Sequence, residues 1–110
     1  MDQIKNIKNK KVCIIGAGLS GIYASILAAH QGANVFLSEG NKKDLSPDHR
    51  ELIEEFNIEY ETGGHTDKIN TGDLYIISPG IPKESDIFRK LKALGKPIIS
   101  EVELASWFAK

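Results

Sequence analysis

Three glycines, at positions 16, 18 and 21, follow directly on the apolar run Val12-Cys13-Ile14-Ile15. The stretch Gly16-Ala17-Gly18-Leu19-Ser20-Gly21 matches G-x-G-x-x-G in the setting that gives the pattern meaning, a strand whose end turns tightly into a helix. There Gly16 makes the turn, Gly18 lets a phosphate approach the backbone, and Gly21 lets the helix pack on the strand. The N–H groups freed around Leu19 and Ser20 lie at the positive end of the helix dipole and favour a diphosphate, to which the Ser20 hydroxyl adds a donor. The plain alternative is that these glycines serve only the turn. A second loop, Ser78-Pro79-Gly80-Ile81-Pro82, brackets a glycine with two prolines. A stiff loop of this kind, with the Gly80 N–H aimed inward, would oppose the first loop across one diphosphate; otherwise it is a proline-stiffened connection. Glu39 stands 21 residues after Gly18. In dinucleotide enzymes an acid at that spacing holds a ribose hydroxyl, which makes NAD or FAD one reading and a solvated loop carboxylate the bland one.

The elements that must position these residues alternate. Lys11 to Ile15 reads as a strand buried on both faces, and Leu19 to Gln31 as a helix stopped by Gly32. Gly21, Ala24 and Ala28 give that helix a smooth stripe for close packing on a sheet. Asn34 to Ser38 is a second strand. Ser46-Pro47 caps a helix carrying Leu52, Ile53 and Phe56. Ile58 to Glu61 is a short third strand closed by Gly63-Gly64, followed by a loop with a helical turn over 65–72. Asp73 to Ile77 is the fourth strand, and Ile87, Leu91 and Leu94 mark a helix from about Glu84 to Leu94. Pro97 to Ile99 is the fifth strand. Ser100-Glu101-Val102-Glu103 matches a capping box and opens a helix with Leu104, Trp107 and Phe108 on its apolar face. The chain stops at that helix with no closing signal, which reads as a truncation point.

Strands separated by helices imply an α/β fold, a Rossmann-like doubly wound five-stranded parallel sheet with expected order 3-2-1-4-5. A crevice then opens where the order reverses, between strands 1 and 4, with both glycine loops at its rim. A length of 110 residues suits one domain. Lys plus Arg number 14 against 15 Asp plus Glu, so no net field draws nucleic acid or an anionic membrane. No stretch is apolar for the roughly 18 residues a membrane span needs. The basic start, MDQIKNIKNKK, runs into a strand and lacks the form of a signal peptide. Cys13 is alone, which excludes an internal disulfide, fits a reducing compartment and reads as a small buried thiol. His30, His49 and His65 show no metal-ligand spacing and read as surface or capping residues.

Taken in order, GAGLSG, GANVFLSE, SPGIP and PIISEVEL resemble the N-terminal domain of the Mur ligase family, in its D-glutamate-adding MurD branch. The likeness runs from about Lys11 to Phe108, and SPGIP with ISEVEL is its specific part. The branch that adds the first alanine has a different glycine pattern with an extra Gly-Met. The resemblance implies a single N-terminal domain, residues 1–110, that binds the UDP moiety of UDP-N-acetylmuramoyl-L-alanine. It places Gly18, Leu19 and Ser20 on one side of the diphosphate and Ser78, Pro79 and Gly80 on the other. Glu39, Gly40 and Asn41 fall near the uracil and ribose; Gly40 and Asn41 depart from the Ser/Thr and Arg that often stand there. The family reaction uses ATP and Mg²⁺ to activate the substrate carboxylate for attack by the amine of D-glutamate. Its P-loop and metal ligands lie in a central domain and its amino-acid site in a C-terminal one, joined in cis. No G-x-x-x-x-G-K-[ST] occurs here, since Gly95-Lys96 is followed by Pro97. The expectation is therefore no catalytic residue, metal or cofactor in this chain, a bacterial cytoplasmic setting, and no nucleic-acid or membrane partner. The cofactor domain of an NAD- or FAD-linked oxidoreductase, and a nucleotide-sensing regulatory domain, remain as alternatives.

Overall fold

The computed structural model describes residues 6–108; the first residues of the basic start and the last two of the chain lie outside them. Five parallel strands form one sheet: β1 (Lys11–Ile15), β2 (Asn34–Ser38), β3 (Glu59–Glu61), β4 (Leu74–Ile77) and β5 (Ile98–Ser100). Their order is β3-β2-β1-β4-β5, as the alternation of strand and helix predicts. The helices are α1 (Leu19–His30), α2 (Pro47–Glu55), α3 (Asp86–Ala93) and α4 (Glu101–Phe108), with a 3₁₀ turn at Asp67–Thr71.

Successive residues of β1 supply two cores, because side chains alternate across a strand. Val12 and Ile14 join Ile22, Ala28, Leu37, Ile53, Ile76 and Leu104 beneath α1, α2 and α4. Cys13 and Ile15 point to the other face and join Phe36, Ile69, Tyr75, Ile77 and Leu91 beneath the 3₁₀ turn and α3. Gly21, Ala24 and Ala28 are buried, so the small-residue stripe of α1 lies inward as its spacing predicts. The Cys13 thiol is fully enclosed, and burial pushes its pKa up to about 11, the state of an unreactive packing residue. Among the described residues no helix is long and apolar enough to cross a membrane.

Local hydrogen bonds move several element ends away from where periodicity puts them. α3 starts at Asp86 because the Ser85 hydroxyl accepts the Phe88 N–H, a cap that the apolar spacing does not reveal. β4 starts at Leu74; Asp73 before it pairs with Lys11 twice, its N–H donating to the Lys11 carbonyl at 2.8 Å and its carboxylate accepting the Lys11 N–H at 2.9 Å. β3 loses Ile58, whose N–H closes the end of α2 on the Ile53 carbonyl, and β5 shifts one residue onward to Ile98–Ser100. One half of the expected capping box forms, the Ser100 hydroxyl accepting the Glu103 N–H at 3.0 Å.

The connection into β4 is closed by one side chain. The Tyr75 hydroxyl, fully buried, donates to the Ile69 carbonyl and accepts the Gly72 N–H at 3.0 Å. Tyr75→Phe leaves both backbone groups unpaired in the core. It should lower the unfolding free energy by about 1–3 kcal/mol in urea titration, with the denaturant slope unchanged.

Candidate functional site

The two glycine loops meet where the strand order reverses. β1 ends at Ile15, and the Ser78 N–H that follows β4 bonds back to the Ile15 carbonyl at 3.1 Å. Gly16 turns with φ +106°, and a Cβ there would fall 2.9 Å from the Cβ of Ser78. Gly21 is tighter still, since its Cβ would lie 2.0 Å from the Gly16 carbonyl oxygen. Gly16 and Gly21 are thus required by backbone and loop packing, whereas a Cβ on Gly18 meets nothing within 4 Å. The open space is at the glycine assigned to phosphate approach.

Gly18 is the N-cap of α1, without a side-chain cap, and the first turn holds no acidic residue. The N-terminal amides of a 12-residue helix therefore face outward, with Leu19 and Ser20 exposed. On the opposing loop, Ser78 to Ile81 forms a turn closed by the Ile81 N–H on the Ser78 carbonyl at 3.1 Å. Pro79 and Gly80 are exposed at its tip. The Gly80 N–H lies 3.4 Å from the Ser78 hydroxyl, a long contact. Gly80 is outside the left-handed region, so glycine is not needed there for its dihedral angles.

Glu39, at the end of β2, reaches across to the first loop. One carboxylate oxygen accepts the Ala17 N–H at 2.6 Å, and the other accepts the Asn41 N–H at 2.8 Å. A cavity of about 300 Å³ opens beside it, lined by Gly18, Glu39, Asn41, Lys43, Ser46 and His49, among others. Gly40 instead packs over His65, a Cβ there coming 3.2 Å from the ring Nε2. A second, apolar groove of about 360 Å³ runs between α1 and α4 and touches both loops through Ser20 and Pro79.

The residues matched by the family whose description reads "MurD N-terminal domain" run from 11 to 87, which takes in both loops and Glu39. The chain belongs to this MurD family. The UDP-N-acetylmuramoylalanine–D-glutamate ligase of Chlorobaculum tepidum is 40% identical over 104 residues, covering 94% of this chain and 22% of that relative. The chain thus spans about a fifth of the length of the curated relatives it matches. Among solved structures, the UDP-N-acetylmuramate:L-alanyl-gamma-D-glutamyl-meso-diaminopimelate ligase from Neisseria meningitides overlays with TM-score 0.75 at 21% identity. That match covers 92% of this chain and 31% of the other. SirC, a precorrin-2 dehydrogenase, overlays more loosely, with TM-score 0.60 at 9% identity over 84% of this chain and 45% of its own. These two likenesses concern the fold.

In this MurD domain a polar cluster that sequence spacing does not disclose supports the loop after β2. The Ser38 hydroxyl, fully buried, donates to the Glu61 carboxylate at 2.6 Å and lies 2.7 Å from His65 Nδ1. A hydroxyl has one proton, and an ionised Glu61 can only accept, so Nδ1–H of His65 donates to the Ser38 oxygen. Burial acts to raise the Glu61 pKa, but the donors on Ser38 and Thr66 outweigh it and hold the carboxyl below its usual range. Burial lowers the His65 pKa, against the pull of Glu39 and Glu61 upward and with the help of Lys90. His65 therefore belongs to a built network, where its isolation in the chain suggests a surface or capping residue. His49 lines the cavity beside Gly18. Among the described residues no group of three His, Cys, Asp or Glu side chains gathers in a way that could hold a metal ion.

The pH consequence has a definite sign. His65 is harder to protonate in the folded chain, so the unfolded chain takes the proton first as pH falls below about 6.5. Stability should be full above that pH and decline below it. His65→Gln should flatten the decline that begins below about pH 6.5, while the further loss below about pH 4.5, set by Glu61, should remain. Thermal melts across this range check both parts.

Proposed function

We propose that this chain is the substrate-nucleotide domain of a longer ATP-dependent ligase, which joins D-glutamate to UDP-N-acetylmuramoyl-L-alanine in peptidoglycan synthesis. The observation that carries the reading is the junction at Gly16 and Ser78, which sets two donor-bearing loops against each other beside open space at Gly18. The outward amides of Gly18, Leu19 and Ser20 and the Ser20 hydroxyl take one side of the diphosphate. The Gly80 N–H, on a loop shaped by Ser78 and Pro79, takes the other. The cavity lined by Gly18, Glu39, Asn41, Lys43 and His49 receives the nucleoside, with Gly40 keeping the floor of the loop close to His65. Names of the curated relatives supply the substrate, and their greater length supplies room for the ATP- and Mg²⁺-binding and amino-acid-binding domains in cis. In this reading the chain holds no catalytic residue, works in the bacterial cytoplasm, and delivers the sugar-peptide end of its ligand to the neighbouring domains.

UDP added to ¹⁵N-labelled chain should shift the amide signals of Leu19, Ser20 and Gly80, and NAD at equal concentration should shift them less. A tighter response to NAD or FAD than to any uridine nucleotide would overturn the ligase reading in favour of a redox cofactor domain. Gly80→Val should weaken UDP binding by about 1–3 kcal/mol while the melting temperature barely changes. The fold tolerates the change because Gly80 is exposed and a Cβ there meets only the Ser78 hydroxyl, at 3.9 Å. Undiminished binding by a folded Gly80→Val chain would reduce Ser78–Pro82 to a connector.

A further inference from the structure

We infer that Glu39 acts as a positioning residue for the diphosphate loop, holding the first glycine turn in its binding shape, and is not itself a ribose contact. This deepens the proposed nucleotide site and rests on that reading. Both carboxylate oxygens are aimed at backbone: Oε1 at the Ala17 N–H, 2.6 Å away, and Oε2 at the Asn41 N–H, 2.8 Å away. Ala17 lies between the turn glycine, Gly16, and the helix cap, Gly18, so a bond on its N–H fixes the peptide from which the free amides of α1 are presented. Asn41 opens the cavity side of the site, and its carbonyl accepts the Gly63 N–H at 2.6 Å. One side chain therefore ties the diphosphate half of the site to the nucleoside half.

The backbone of Glu39 is anchored as firmly as its side chain. Its N–H donates to the Glu61 carbonyl at 3.0 Å and its carbonyl accepts the Gly64 N–H at 3.2 Å. The carboxylate thus projects from a fixed point and is held by charge-assisted bonds, which are the stronger kind. Electrostatics argues the same way. A carboxylate turned toward a bound diphosphate would repel it, whereas one drawn onto two N–H dipoles has part of its charge compensated away from the ligand.

The test separates acting through the loop from touching the ribose. Inorganic pyrophosphate has no sugar, so a ribose contact cannot affect its binding. Glu39→Gln keeps one acceptor and turns an amide NH₂ toward the other N–H. It should weaken UDP and pyrophosphate by the same factor, about tenfold. In the same variant the Ala17 amide should exchange its hydrogen faster in the absence of any ligand. Loss of the 2′-hydroxyl, probed with 2′-deoxy-UDP, should change affinity by the same ratio in parent and variant. Weakening of UDP with pyrophosphate unaffected, or a 2′-deoxy effect that vanishes in Glu39→Gln, would overturn the positioning role and restore a direct ribose contact. Binding of neither UDP nor pyrophosphate to the unaltered chain would overturn the nucleotide reading, and this one with it.

Discussion

The carbonyl oxygen of Gly16 occupies the place where a side chain on residue 21 would begin, and much of the upper face of the sheet follows from that contact. The first turn of α1 can settle on the end of β1 only because residue 21 has no Cβ. With the helix set down there, Ala24 and Ala28 lie on the sheet and Ile22 enters the core beside Ile14. The same turn places Gly16 against Ser78, so the loop after β4 is brought to the loop after β1 without a linking side chain. A residue with a larger footprint at either position would part the loops or lift the helix, and the crevice between β1 and β4 would lose its shape.

In the proposed reading that geometry lets a chain with net charge −1 present an anion site. Overall charge contributes nothing to the attraction, so the favourable terms are local: unpaired amides and the dipole of α1, acting over the first turn. The acidic residues nearby are kept from cancelling them. Glu39 is bonded to Ala17 and Asn41, and Glu61 to Ser38 and Thr66, so each carboxylate faces protein donors. His65 shares the Ser38 hydroxyl with Glu61 and lies under Gly40.

Periodicity and glycine placement made the architecture legible, because both report which side chains must be buried. The run Val12–Ile15, the Gly21-Ala24-Ala28 stripe and the alternation of elements were enough for the sheet order and the location of the crevice. What they could not show are contacts between residues far apart in the chain. Ser85 caps α3 through one hydrogen bond and Asp73 pairs with Lys11 through two, and the starts of α3 and β4 lie a residue or two from where periodicity puts them. Glu39 was legible as an acid at the end of β2, but its reach to Ala17 required the third dimension, since a ribose-binding acid has the same spacing. Lys43 and His49 beside Gly18, and the Ser38–Glu61–His65 cluster, carry no motif at all; tertiary folding alone brings them together.

Rigidity is the step that connects these bonds to binding. Association loses free energy to any loop that must be ordered, so a site whose loops are already fixed keeps more of its contact energy. Each segment around the crevice is tied by backbone bonds independent of any ligand: Gly16 N–H to Ser38, Ser78 N–H to Ile15, Ile81 N–H to Ser78, and Gly63 N–H to Asn41. The donors without a backbone partner are at the helix start and at the loop tip, where the Gly80 N–H makes only its long contact to the Ser78 hydroxyl. The apolar groove between α1 and α4, walled by Tyr23, Leu27, Val102 and Ala105, offers no comparable set of donors. In the proposed reading an anionic group is held at the loops, and the Glu39 tether separates the diphosphate side of the site from the nucleoside side.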